Sequence, residues 1–264
     1  MKPLAHDRYC DEIAHRVNRL RDVVTSGADL SATVPTCPEW SLEQLVRHVG
    51  AGVSRADALV RARSRENIPA SEVPGAAGPR EWGDAPALDK WLGEAGESFV
   101  AALREAGPDV PVWTWMGLRT TGVWARRMTH ETVVHHADAA LAAGLSCEIA
   151  PEVAADGLDE LLELTLLVLP LRGRDGALRE GSARSVHLHA TDTGAALDAE
   201  WLMEFGAGGL GWRRGHEKAA VALRGPLTAL LLASYRRLPP DAPGLEVLGD
   251  REVLDFWLQR ATFG

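Results

Sequence analysis

The segment from about Thr121 to Ala143 constrains the chain most. It reads as one helix, ended by Gly144, a residue suited to a left-handed C-terminal cap. Residues four apart on a helix differ by about 40° in direction, so Glu131 and His135 project side by side from adjacent turns. Arg127 and Asp138 fall close to the same stripe and put charge where a bundle helix buries apolar groups. Four polar residues on one stripe are costly to bury without partners.

Three other helices are legible. Ile13, Val17, Leu20 and Val24 form an apolar stripe over Asp7 to Val24. The two prolines of Val34-Pro35-Thr36-Cys37-Pro38-Glu39-Trp40 break that pattern. Ser41 then N-caps a second helix, which reaches towards Arg63 with Leu42, Leu45, Val46, Val49 and Val53 inward and His48 aboard. Residues 67–84 are rich in proline, glycine and alanine, a loop long enough to be functional or mobile. Leu88 to Glu105 returns to helical periodicity. Four such helices describe a bundle whose centre can host a metal.

After Pro151 the pattern changes. A helix from Glu152 to Leu169 precedes Ser185 to Ala190, which alternates with strand period. Short strands are expected at Ala199 to Phe205, Gly209 to Arg213 and Ala219 to Leu223, then a helix from Pro226 to Arg237, a strand at Leu245 to Leu248 and a closing helix from Arg251 to Arg260. The expected fold class is α+β in two domains, a helical bundle over 1–148 and a smaller α+β domain over 151–264, with a cleft between them.

The polar stripe has a metal solution. Neutral imidazole and ionised carboxylate become ligands, His48 adds a third from the facing helix, and Asp138 or a carbonyl orients a ligand ring. Nitrogen and oxygen ligands around an open position suit zinc, while iron, nickel and manganese accept the same ligand types. The alternative is a solvated helix face, because Glu-x-x-x-His also arises as an ordinary helix pair. His130 and His136 point about 100° away from their neighbours and are read as non-ligands.

A formal net charge of -9, from 28 basic and 37 acidic residues, disfavours nonspecific attraction to nucleic acid or anionic lipid. No apolar run approaches the roughly 20 residues of a membrane helix, and the first nine residues lack a signal peptide's apolar core. Cys10, Cys37 and Cys147 are far apart and odd in number, so they read as reduced thiols. A cytoplasmic protein with no membrane and no nucleic-acid partner is expected.

The segment Val34 to Ser41, the run Leu45-Val46-Arg47-His48-Val49-Gly50, and then Arg127, His130-Glu131, His135 and Asp138 together resemble the mycothiol-dependent maleylpyruvate isomerase family of DinB-like metal-binding bundles. His187 to Asp192, Val221 to Leu232 and Leu245 to Asp250 are similar to that family's smaller, sterol-carrier-like C-terminal domain. The resemblance implies His48, Glu131 and His135 as ligands of zinc (Zn2+) or another divalent ion. It also implies mycothiol as cosubstrate, a low-molecular-weight thiol whose thiolate attacks a small-molecule electrophilic substrate. Addition, bond rotation and elimination give cis-trans isomerisation; addition alone gives thiol S-transfer.

If that substrate carries carboxylates, an arginine should border the metal. Arg127 and Arg237 are the candidates, since guanidinium forks bind carboxylates bidentately and the family presents an arginine in its C-terminal domain. Arg236 and Arg237 also fit a helix C-terminus facing its dipole. His187 and His189 share one strand face, read as half-exposed because no third ligand is identifiable. Trp40, Trp113, Trp115 and Trp124 are core residues of which one or two line an apolar pocket, Cys37 is structural, and Gly206, Gly208, Gly209 and Gly211 form a turn. Two rivals stand beside the thiol enzyme: a thiol-independent metal-dependent hydrolase, lyase or cyclase, and a non-catalytic metal-binding regulatory protein.

Overall fold

The computed structural model describes residues 3–171, 173, 176–180 and 182–260. They form an α+β fold in two units, Leu4–Cys147 and a second beginning at Glu148. Among the described residues no helix is long and apolar enough to cross a membrane.

In the first unit, helices α1 (His6–Thr25), α2 (Leu42–Arg61), α3 (Ala85–Ala106) and α4 (Thr121–Ala142) form the bundle. Each of α1 and α2 packs against both α3 and α4. The α2 start carries a capping box: Ser41 Oγ accepts from the Gln44 amide at 3.2 Å and the Gln44 side chain accepts from the Ser41 amide at 2.8 Å. Asp84 caps α3 by accepting from the Ala87 amide, and Gly107 ends it at φ 70°. Two glycines allow close helix approach. A Cβ at Gly96 would stand 2.7 Å from Val17 Cγ1, and one at Gly50 would meet the Trp91 ring at 2.2 Å.

Short strands decorate the bundle where none was expected. β1 (Thr33–Val34) pairs with β2 (Cys37–Ser41), and β3 (Pro111–Thr114) with β4 (Gly117–Thr120), both antiparallel. The two prolines of the first segment do not forbid the pairing, because a two-stranded ribbon has outer edges on which a missing amide costs nothing. The 67–84 loop is tied down. Arg47 donates to the carbonyls of Ala77, Pro79 and Glu81, Glu43 accepts from the Gly83 amide, and Trp91 Nε1 donates to Gly75.

In the second unit α5 (Pro151–Leu171) and α6 (Gly176–Arg179) precede a five-stranded sheet. Its strands are β5 (Arg184–Ala190), β6 (Glu200–Gly206), β7 (Gly209–Arg214), β8 (Val221–Gly225) and β9 (Glu246–Gly249), in the order β7-β6-β5-β8-β9. Only β5 and β8 run parallel. Helices α7 (Leu227–Ser234) and α8 (Arg251–Arg260) complete the unit. Trp201, Met203 and Phe205 are buried on one face of β6, with Phe205 stacked on Phe256 of α8 at 6.0 Å. Asp159 of α5 accepts from Trp201 Nε1 and takes Arg214 bidentately, which fastens helix to sheet. Two expectations shift. The glycine turn is confined to residues 207–208, with Gly209 and Gly211 inside β7, and α7 stops at Ser234, so Arg237 lies past the helix end where Arg236 adopts φ 60°.

A buried ion-pair network joins α1 to α4. Glu12 accepts from Arg16 Nε at 2.6 Å and from Arg8 at 2.7 Å, and Arg16 Nη1 lies 3.1 Å from His136 Nδ1. Burial works against the Glu12 carboxylate, but Arg16 and Arg8 outweigh it and hold its pKa below the ordinary value. A depressed carboxyl pKa stabilises the fold above the unfolded value and loses that contribution as pH falls. Glu12→Gln should therefore cost about 3 kcal/mol near neutral pH, by leaving Arg16 buried without its carboxylate. The gap between variant and parent should close as pH drops below 4.5, the ordinary Glu value. Urea unfolding of the metal-free proteins across pH 3–7, an interval of about four units set by carboxyl titration, checks this; a gap that does not change with pH would contradict it.

Candidate metal centre

The capping box sets the phase of α2. Leu45, Val46, Val49 and Val53 then face the core, and His48 falls on the flank, with 44% of its side chain exposed. Helix α4 is buried around most of its circumference, and its polar stripe points at that flank of α2. His48, Glu131 and His135 each present a ligand atom, all within 4.8 Å of one another. His48 Nε2 is 3.5 Å from Glu131 Oε1, and His135 Nε2 is 3.1 Å from the same oxygen. The two imidazoles meet edge to face with centroids 5.1 Å apart, and Trp40, near the end of β2, packs against His48 with the rings tilted by 44° and centroids 4.7 Å apart.

The surrounding residues orient these three. Asp138 is fully buried; its Oδ2 lies 3.0 Å from His135 Nδ1, and its Oδ1 accepts from Thr36 Oγ1 at 2.6 Å. With Nδ1 turned to Asp138, His135 keeps Nε2 for the cluster. Arg127 Nη2 donates to Glu131 Oε2 at 3.2 Å, leaving Oε1 towards the imidazoles. Burial would raise the Glu131 pKa, yet hydrogen bonds from His135 and His48 and the Arg127 charge hold it well below the carboxylate range. Burial would lower that of His135, but Asp138 and Glu131 raise it to about 9. The donor set fits a divalent ion: a carboxylate oxygen and two imidazole nitrogens converge on one point.

The structure thus brings His48, Glu131 and His135 together and sets Arg127 against Glu131. Arg237 belongs to the second unit, where its Nη1 donates to the Tyr235 carbonyl at 3.0 Å. His130 packs edge-on against Tyr9, and His136 turns to Arg16 and Cys147, so neither joins the cluster. Thr36 was missed. Its only signal was a hydroxyl in the segment leading to Trp40, and sequence spacing does not show that this segment folds back on α4.

Two domain profiles match the chain: the mycothiol maleylpyruvate isomerase N-terminal domain over residues 10–140 and the C-terminal domain of the same group over 152–256. No curated protein matches it. Among solved structures it is similar to a mycothiol-dependent maleylpyruvate isomerase at 14% identity and to a histidine-to-alanine mutant of that enzyme at 12%. Each has a TM-score of 0.59, with 92% of this chain and 93% of the other covered. At such identities the likeness shows a shared fold.

Asp138→Asn, which keeps the shape but weakens the hold on the His135 ring, should lower zinc affinity roughly 10- to 100-fold, and Thr36→Val should do so by less. Competition with a chromophoric chelator measures both; unchanged affinity in Asp138→Asn would remove its orienting role.

Proposed function

Since the chain belongs to the mycothiol-dependent maleylpyruvate isomerase family, with both of its domain profiles matched, we propose that it is an isomerase that uses mycothiol to convert a small cis-alkene electrophile of the maleylpyruvate type into its trans isomer. The observation that carries this reading is the convergence of His48, Glu131 and His135 within 4.8 Å. These three hold the metal, proposed as zinc because two nitrogens and one carboxylate with an open position suit it. Zinc, when bound, supplies Lewis acidity that lets a thiol of ordinary pKa, about 8.5, stand deprotonated at neutral pH.

The chain's own residues do the rest. Asp138 and Thr36 fix the His135 ring, and Arg127 restrains Glu131 so that one oxygen faces the site. Trp40 packs beside the His48 ring and gives that side of the site an apolar surface. Arg127 or Arg237 is assigned to a substrate carboxylate, which a planar guanidinium fork suits. In the reaction the thiolate sulfur adds to one alkene carbon while the π electrons move onto the conjugated carbonyl as an enolate. The former double bond then rotates, and the enolate electrons return to expel the thiolate. Atoms and electrons balance, and the thiol is regenerated. The cytoplasm is the proposed compartment; three cysteines that form no disulfide and a thiol cosubstrate both suit reducing surroundings.

Zinc-loaded protein given mycothiol and maleylpyruvate should form the trans isomer. His48→Ala and Glu131→Gln should lower kcat/KM by at least about 100-fold together with loss of the metal at this cluster. Arg237→Ala should raise KM several-fold at unchanged metal content. Turnover that survives omission of thiol or full chelation would overturn the reading.

A further inference from the structure

A second cluster lies on the sheet of the second unit. His187 and His189 alternate on β5 and so share a face, and His189 is the cross-strand partner of Glu200 on β6. Beyond β7 the chain turns at Gly215, whose amide donates to the Glu200 carbonyl at 3.1 Å. That turn delivers His216 to the same place. Three imidazole nitrogens then crowd one oxygen: His187 Nε2 at 2.9 Å, His189 Nδ1 at 2.9 Å and His216 Nδ1 at 2.6 Å, all from Glu200 Oε2. The rings stand edge to face in all three pairings, with centroids 5.4 to 5.7 Å apart.

Hydrogen bonding alone does not account for this. A carboxylate oxygen offers two lone pairs, and three nitrogens compete for them. The His187 nitrogen is the loser: despite its 2.9 Å distance it lacks hydrogen-bond geometry, and the atom is buried without a hydrogen-bond partner. A buried polar atom in that state costs free energy that a central cation would remove by taking one lone pair from each residue. The four donor atoms lie within 4.8 Å of one another. Tetrahedral zinc, with bonds of roughly 2.0–2.2 Å, sets its donors about 3.4 Å apart, so only small side-chain movements separate the cluster from coordination.

We propose that His187, His189, Glu200 and His216 form a second divalent-metal site, of the class that takes zinc, which clasps the chain after β7 onto β5 and β6. All four tetrahedral positions are filled by protein, the pattern of a structural site, in contrast to the three-ligand cluster on α2 and α4. Burial grades from His187, with 7% of its side chain exposed, to His216 at 74%, so His216 is the ligand that closes over an entering ion. The sequence reading stopped at two histidines, since Glu200 and His216 are separated from them by strand turns.

The test is zinc titration of the full-length protein against a competing chelator, with metal content after dialysis. The wild-type chain should hold about two equivalents, His48→Ala and His216→Ala about one each, and the double variant none. His216 is exposed, so its loss leaves the metal-free fold intact, and His189→Asn gives an independent second variant. Zinc should raise the Tm of His48→Ala but not of His48→Ala combined with His216→Ala. If His48→Ala retains no zinc, or if His216→Ala and His189→Asn bind as much as the parent, the proposal is wrong. Because His48→Ala isolates this cluster, failure of the catalytic reading and failure of this one give different results.

Discussion

A single fully buried carboxylate organises the first site. Asp138 has no water to solvate it, so its two oxygens require donors from the protein, and they obtain them from Thr36 and from His135 Nδ1. The first contact anchors the β1–β2 segment against α4. The second fixes the rotation of the His135 ring and leaves Nε2 facing Glu131. Everything nearer to the ion position follows from that choice: Oε1 of Glu131 shared by two imidazoles, Oε2 taken by Arg127, and His48 reaching in from α2 under Trp40.

The same helix is polar on another side as well. His136, one residue on from His135, points about 100° away and meets Arg16 of α1, where burial and then the arginine charge hold its pKa down to about 4. The pKa values of these adjacent histidines are thus pushed in opposite directions: Asp138 and Glu131 raise that of His135 against its burial, while burial and the Arg16 guanidinium lower that of His136. The difference follows from direction: one imidazole of α4 faces Glu131 and the next faces Arg16 of α1. The weak amphipathic character of α4 has the same origin: its polar residues meet partners on several sides, His136 on α1, Glu131 on α2 and Asp138 on the β1–β2 segment.

The two clusters illustrate how secondary structure sets the spacing of side chains that converge. On α4 the donors stand four residues apart because successive turns stack. On β5 they stand two apart because alternate residues share a face, and the next strand supplies the carboxylate by direct cross-strand pairing. Helical donors need a second helix to complete the set, while the strand donors are joined by the neighbouring strand β6 and by the chain that follows β7.

Much was legible in the sequence. The four helices, the strand-rich second half and the shared stripe of Glu131 and His135 all follow from periodicity and spacing within single elements, because a helix or strand converts spacing directly into direction; the family was legible only as a resemblance of motifs. The two hairpins, the clamp of Arg47 on the 67–84 loop, the Thr36 hydroxyl on Asp138 and the arrival of Glu200 and His216 beside two histidines were decided only by the tertiary fold. Each joins residues of different elements, and where one element comes to rest on another depends on the packing of whole faces, on close approaches such as Gly96 against Val17, and on the turns between them.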